Sequence, residues 1–165
     1  MPETFRDVTP EHLLSLGKRF VICDIDNTLA TYDDPTPPDA VVAWCHRMNE
    51  CGVTVAFVSN NERERVELFN RELGYVAYAK AGKPCTGVLK RAMAELGADC
   101  SNAALLGDQL LTDAACAKLA GLYCLIVPPI KDKKTLFFRF KRWIEKPYVR
   151  KFRKKSGKQR INKLS

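Results

Sequence analysis

At 165 residues and 46% hydrophobic side chains, the chain is long enough to bury about 70% of the surface its unfolded form exposes, so one ordinary core is expected without disulfide or metal staples. The formal charge of +8 conceals two regions of opposite sign: residues 1–130 carry 12 Lys and Arg against 17 Asp and Glu, and residues 131–165 carry 15 against 2. The basicity belongs to the tail, which excludes a nucleic-acid surface spread over the whole domain.

In chain order, short apolar runs alternate with helical patterns. Strands are predicted over Phe20–Cys23, Val53–Val58, Tyr75–Ala79, Ala103–Leu106 and Leu122–Val127. Helices are predicted between them over Pro38–Glu50, Glu62–Leu73, Pro84–Leu96 and Leu110–Leu119, each with a glycine close behind as a stop. This alternation specifies an α/β fold, a parallel five-stranded sheet with helices on both faces. The connections are too short to hold a lid domain. The seven cysteines are odd in number and form no C-x-x-C pair, so reduced core thiols are expected and no structural zinc. No charged leader precedes an apolar run and no stretch nears the roughly 18 apolar residues of a membrane span, which predicts a cytoplasmic protein.

Chemistry-bearing residues gather at the predicted strand ends. Asp24-Ile25-Asp26-Asn27-Thr28 follows the first strand directly. Residues two apart share a face if a strand continues, so the two carboxylates crowd together there, which is unfavourable without a cation. One could serve as nucleophile while its neighbour handles the proton; the competing reading is an Asp/Asn turn that caps a helix. Ser59 ends the second strand, where a hydroxyl at a helix N-terminus suits a phosphoryl oxygen. With Glu62 three residues on, it also reads as a capping box. Lys83 precedes Pro84, which is expected to open the next helix, and its ammonium could neutralise a phosphoryl group or simply be solvated. Gly107-Asp108-Gln109-Leu110-Leu111-Thr112-Asp113 follows the fourth strand. Asp108 and Asp113 could hold a hard cation; otherwise Asp108 caps the helix and Asp113 is exposed.

These four elements, in this order across Phe20–Val127, resemble the haloacid dehalogenase (HAD) superfamily of aspartate-dependent phosphatases. The wording Asp26-Asn27-Thr28-Leu29, Val58-Ser59-Asn60-Asn61, Lys83-Pro84 and Gly107–Asp113 is similar to the YqeG family of subclass IIIA, itself similar to the phosphatidylglycerophosphate phosphatases. The resemblance implies a capless, Rossmann-like HAD fold and an Mg²⁺-dependent phosphomonoesterase. In that scheme Asp24 forms an aspartyl-phosphate and Asp26 is the proton-transfer residue. Thr28 steadies the loop, and with Ser59, Asn60 and Lys83 it forms the substrate-binding set. Mg²⁺ falls to Asp24, the Asp26 carbonyl, Asp108 and, through its waters, Asp113. Two positions depart from the family wording: Ala30-Thr31-Tyr32 replaces an apolar-Pro-aromatic run, and Gly82 stands where a basic residue is common.

Beyond residue 130 the sequence suggests an amphipathic helix, with Leu136, Phe137, Phe140, Trp143 and Ile144 inside an arc of about 120°. The domain is expected over 1–146, with 147–165 as a basic tail. The aromatic, cationic segment suits an anionic membrane surface, peripheral at the inner membrane, and equally a helix docked on the core. A phosphorylated membrane lipid is therefore the expected substrate. A soluble phosphate ester is the enzymatic alternative, and a tail-mediated RNA or ribosome adaptor the non-enzymatic one.

Overall fold

The computed structural model describes residues 2–131. The expected C-terminal helix, the domain boundary at residue 146 and the tail lie outside the described residues. Five strands form one all-parallel sheet: β1 (Phe20–Cys23), β2 (Thr54–Val58), β3 (Val76–Tyr78), β4 (Ala103–Gly107) and β5 (Tyr123–Ile126), in the order β3-β2-β1-β4-β5. The chain winds outward from β1 through β2 to β3, then crosses to β4 on the other side. The topological switch lies between β1 and β4, and ligands of open α/β sheets bind beyond the carboxyl ends of the strands at such a point.

Alternation along the strands builds two cores. Val21, Cys23, Val55, Phe57, Ala104 and Leu106 face one side, against Val41, Trp44, Cys45 and Met48 of α2 (Asp39–Glu50) and Val66 and Phe69 of α3 (Arg63–Asn70). Ile22, Ala56, Val58, Ala103 and Leu105 face the other, against Leu89, Ala92 and Met93 of α4 (Gly87–Leu96) and Cys116 and Ala117 of α5 (Ala115–Ala120). Both faces of the central strands are covered, which is why these strands read as unbroken apolar runs rather than alternating ones.

Several boundaries differ from expectation. A 3₁₀ turn (Phe5–Asp7) and α1 (Pro10–Ser15) precede the sheet. Thr4 and Asp7 form a reciprocal capping box, and Thr9 caps α1 with Pro10 inside its first turn. Pro84 does not open α4: the Lys83–Pro84 peptide is cis and the helix begins at Gly87. The helix expected over Leu110–Leu119 divides into a π-helical turn (Leu110–Ala114) and α5. All seven cysteines are free thiols; Cys23, Cys45 and Cys116 are buried as core residues, while Cys51, Cys85 and Cys100 are exposed. No described helix is long and apolar enough to cross a membrane.

Candidate active site

β1 ends at Cys23, and the chain turns at once instead of continuing the strand. Leu29 and Ala30 both donate their N–H groups to the Ile25 carbonyl, and Asn27 occupies a left-handed conformation at φ 64°. Asn tolerates that region better than most residues. The turn separates the two carboxylates that an uninterrupted strand would have set side by side. Asp24 faces β4 and Lys83, while Asp26 faces β2 and α3.

Asp24, Asp108 and Asp113 form a buried cluster in which one oxygen from each lies within 4.8 Å of the others. Asp108 leaves the end of β4 beside Asp24, and the Thr28 hydroxyl stands between them, 3.4 Å from Asp24 Oδ2 and 3.2 Å from Asp108 Oδ1. Thr28 is buried among carboxylates, and its hydroxyl ties the loop to Asp24 and Asp108. Asp113 reaches the cluster through the π-helical turn. The N–H groups of Asp113 and Ala114 both bond the Gln109 carbonyl, at 2.9 and 3.1 Å, and the wider turn swings the side chain inward until it is wholly buried. Asp113 Oδ2 accepts from the Gln109 N–H at 3.1 Å. Gly107 is what lets it in, since a Cβ there would fall 2.4 Å from Asp113 Cγ.

Lys83 lies in the middle of this cluster and is not solvated. Its side chain is 2% exposed, and Nζ donates to Asp24 Oδ1 at 2.7 Å and to Asp113 Oδ1 at 2.6 Å. Asn60 grips its main chain from both sides: the Lys83 N–H bonds Asn60 Oδ1 at 2.7 Å and Asn60 Nδ2 bonds the Lys83 carbonyl at 3.1 Å. The Asn60 amide thus holds the lysine loop. Gly82 has φ 66°, a conformation glycine adopts without strain.

Ser59 does not cap α3. The cap position falls on Glu62, with no side-chain bond. Ser59 Oγ donates to Asp26 Oδ2 at 3.3 Å and accepts from the Asn61 N–H at 3.0 Å. Asn61 Nδ2 donates to the same Asp26 oxygen at 3.1 Å. Asp26 also has a partner that the sequence reading did not include, Arg65 of α3, whose Nε lies 3.3 Å from Oδ1. With both oxygens so occupied, the Asp26 side chain is not a member of the three-carboxylate cluster.

The electrostatics of the cluster call for a cation. Burial pushes the Asp24 carboxyl up to about 8; Lys83 opposes the rise, and the negative charges of Asp113 and Asp108 add to it. Burial, then Asp113, pushes Asp108 up to about 7 against the pull of the Thr28 hydrogen bond. Burial would draw the Lys83 ammonium down, but Asp113 and Asp24 outweigh it and hold the group above its usual range. Asp108 Oδ2 is buried without a hydrogen-bond partner, an arrangement that ordinarily costs about 1–3 kcal/mol or more. An oxygen-coordinated divalent cation would occupy that lone pair and reverse the upward shifts, so the residues fit such an ion.

The folded, metal-free protein retains protons on Asp24 and Asp108 that the unfolded chain has released, so the folded state binds more protons between the two pKa ranges. Stability from these groups is full below the unfolded values near pH 4 and is lost as pH rises through about 7 to 8. A divalent cation should therefore raise the melting temperature more at about pH 8 than at about pH 5. Thermal melts with and without chelator check this; an equal rise at both pH values would show that these carboxylates are not the ligands.

Residues 80–133 match a HAD-hydrolase-like family model. Over 148 residues the chain is 32% identical to the probable phosphatase YqeG of Bacillus subtilis strain 168, covering 90% of this chain and 86% of that protein. The chain belongs to the YqeG family of HAD phosphatases. NagD from E. coli K-12 superposes with a TM-score of 0.56 at 13% identity, over 70% of this chain and 90% of that one. The cobalt-bound deoxy-D-mannose-octulosonate 8-phosphate phosphatase YrbI of Haemophilus influenzae does so at 0.52 and 18% identity, over 67% and 79%. At these identities the likeness is one of fold. This YqeG-family chain is thus a phosphatase of the HAD class, whose members use a divalent metal, and the acidic cluster at the switch point is where its residues could hold one.

Proposed function

We propose that the chain is an Mg²⁺-dependent phosphomonoesterase that works through an aspartyl-phosphate on Asp24, and that its substrate is phosphatidylglycerophosphate at a membrane surface. The observation that carries the chemistry is Lys83, buried and bonded to both Asp24 and Asp113 beside an unsatisfied Asp108 oxygen. Such a lysine is a fixed positive charge touching the nucleophile itself, where charge develops in phosphoryl transfer. In the first step an Asp24 oxygen attacks phosphorus, the bond from phosphorus to the leaving oxygen breaks, and Asp26 gives that oxygen a proton. In the second, Asp26 takes a proton from water as the water oxygen attacks phosphorus, and the bond to Asp24 breaks to return the carboxylate and release phosphate. Asp24, Asp108 and the Asp26 carbonyl would bind Mg²⁺, with Asp113 orienting its waters, and the ion would neutralise the phosphoryl oxygens. Ser59 and Lys83 are the groups available to those oxygens.

Two observations support the lipid surface. Leu110 and Leu111, on the turn directly after Asp108, are 70% and 61% exposed, which places apolar side chains at the rim of the site. Residues 131–165 bring 15 Lys and Arg against 2 acidic residues. Each basic residue near an anionic leaflet contributes about 1 kcal/mol, fading with salt. Changing Lys151, Lys154 and Lys155 to Glu should weaken co-sedimentation with anionic vesicles and lower turnover of the lipid phosphate, with hydrolysis of glycerol phosphate unchanged. If the full chain ignores the lipid phosphate but hydrolyses a soluble ester efficiently, the soluble substrate class replaces this one. Binding to RNA at a salt concentration that releases vesicles would favour the adaptor role for the tail.

A further inference from the structure

One nearly buried cation next to the site has no task in the chemistry above. Arg65, 14% exposed, spreads its guanidinium over three acceptors. Nε donates to Asp26 Oδ1 at 3.3 Å, Nη1 to the Pro35 carbonyl at 2.9 Å and Nη2 to the Thr31 carbonyl at 3.1 Å. Its Cζ lies over the ring of Phe69, 5.4 Å from the centroid, one helical turn along α3. Phe69 is itself wholly buried and packs edge-to-face on Phe57 of β2. The guanidinium is therefore anchored by the core beneath it and by three oxygens around it. A lysine, with a point charge and no fork, cannot reproduce that pattern.

The acceptors on the other side form a compact unit. Thr31 donates its N–H and its hydroxyl to Asp34 Oδ2, at 2.8 and 2.7 Å, and this folds residues 31–34 into a turn. That turn follows within a few residues of Asp26. One side chain thus fixes the carboxylate and the connection that carries the chain away from it. The remaining Asp26 oxygen meets only neutral donors, Ser59 and Asn61. Without Arg65, the carboxylate keeps its neutral contacts on Oδ2 but loses the charged one that ties Oδ1 to α3.

We propose that Arg65 is the positioning residue for Asp26, holding the proton-transfer carboxylate and the 31–35 turn as one unit so that Asp26 is aimed at the leaving oxygen. The proposal rests on the assignment of Asp26 to proton transfer. It makes a demand that a mere loop staple would not. Proton donation matters greatly when an alkoxide leaves and little when a stabilised phenolate leaves, so the loss must depend on the leaving group. General acid catalysis is typically worth about 10²–10⁴ in rate.

The test uses the full chain with Mg²⁺ and compares kcat/KM for 4-nitrophenyl phosphate and glycerol phosphate. This ratio reports transfer to Asp24 before the two esters share an intermediate. Arg65→Lys and Arg65→Ala are expected to lower kcat/KM for the alkyl ester by about 10²-fold and for the aryl ester by about threefold or less. In an Asp26→Asn background, Arg65→Lys should remove nothing further on the alkyl ester. Thermal melts identify any variant that fails to fold; Arg65→Lys retains the charge and most of the stem, and decides the question if Arg65→Ala is lost. Equal losses on both esters, full retention of alkyl turnover, or a further loss in the Asp26→Asn background would each overturn the proposal. If the wild-type chain hydrolyses the aryl ester but Asp26→Asn costs nothing on the alkyl ester, the proton-transfer assignment fails first and this role falls with it.

Discussion

Asp24→Asn should reduce turnover of every phosphate ester to background while leaving the sheet intact. An amide in place of the carboxylate is a poor nucleophile, and no neighbour replaces it: both Asp26 oxygens are bonded, to Ser59, Asn61 and Arg65. The same change should not unfold the protein. Asp24 is buried, and burial pushes its carboxyl up to about 8 despite Lys83, so an ionised Asp24 is a cost to the metal-free fold near neutral pH. Lys83 would keep its bond to Asp113. The metal-free variant is thus expected to melt at or above the wild-type temperature at about pH 8, where the wild type carries that cost. Turnover of an aryl phosphate, acid-quenched detection of covalent phosphate and a chelator-treated melt check the three parts. Undiminished turnover in the variant would refute the covalent mechanism.

The sheet was legible because burial on both faces imposes a composition. Val21, Ile22 and Cys23, or Ala104, Leu105 and Leu106, must all be apolar when helices cover both sides, and short continuous runs separated by helical periods mark a parallel α/β sheet. The N-terminal α1 was missed although Thr9-Pro10 is a start signal, because six residues are too few to display a 3.6-residue period. Pro84 misled for a different reason. Proline suits a first helical turn, but here α4 begins only at Gly87, with Thr86 at the cap position. The site was legible as a list and not as a geometry. Ser59 and Glu62 have the spacing of a capping box, yet Asp26, 33 residues away, takes the serine hydroxyl; local spacing does not report such a competitor. Asp113 is similar, since the π-helical turn that buries it leaves no distinct sequence period. Arg65 gave no signal at all, because an Arg among Arg63, Glu64 and Glu67 on a short helix reads as part of a solvated face.

Lys83→Ala is expected to produce the second large effect, and to produce it in two measurements that need not move together. The ammonium sits between Asp24 Oδ1 and Asp113 Oδ1 at 2.7 and 2.6 Å. Removing it leaves three carboxylates within 4.8 Å of one another and no lysine between them. Breaking a buried ion pair by deleting one partner typically costs about 3–5 kcal/mol. Here the carboxyls can take up protons instead, which moderates the loss at low pH and not at high pH. The metal-free variant should therefore lose melting temperature more steeply than the wild type as pH rises, because the folded pKa of Asp24 loses the lysine that restrains it. A divalent cation should restore much of that stability, since it supplies the missing charge, but it should not restore the rate. The lysine is also a fixed donor at the nucleophile, and one well-placed donor is worth roughly 10²–10³ in rate. Melts across pH with and without Mg²⁺, paired with aryl phosphate turnover at saturating Mg²⁺, separate the two. Stability restored with the rate still depressed identifies Lys83 as part of the chemistry. If stability and rate return together, its charge serves only to neutralise the carboxylates.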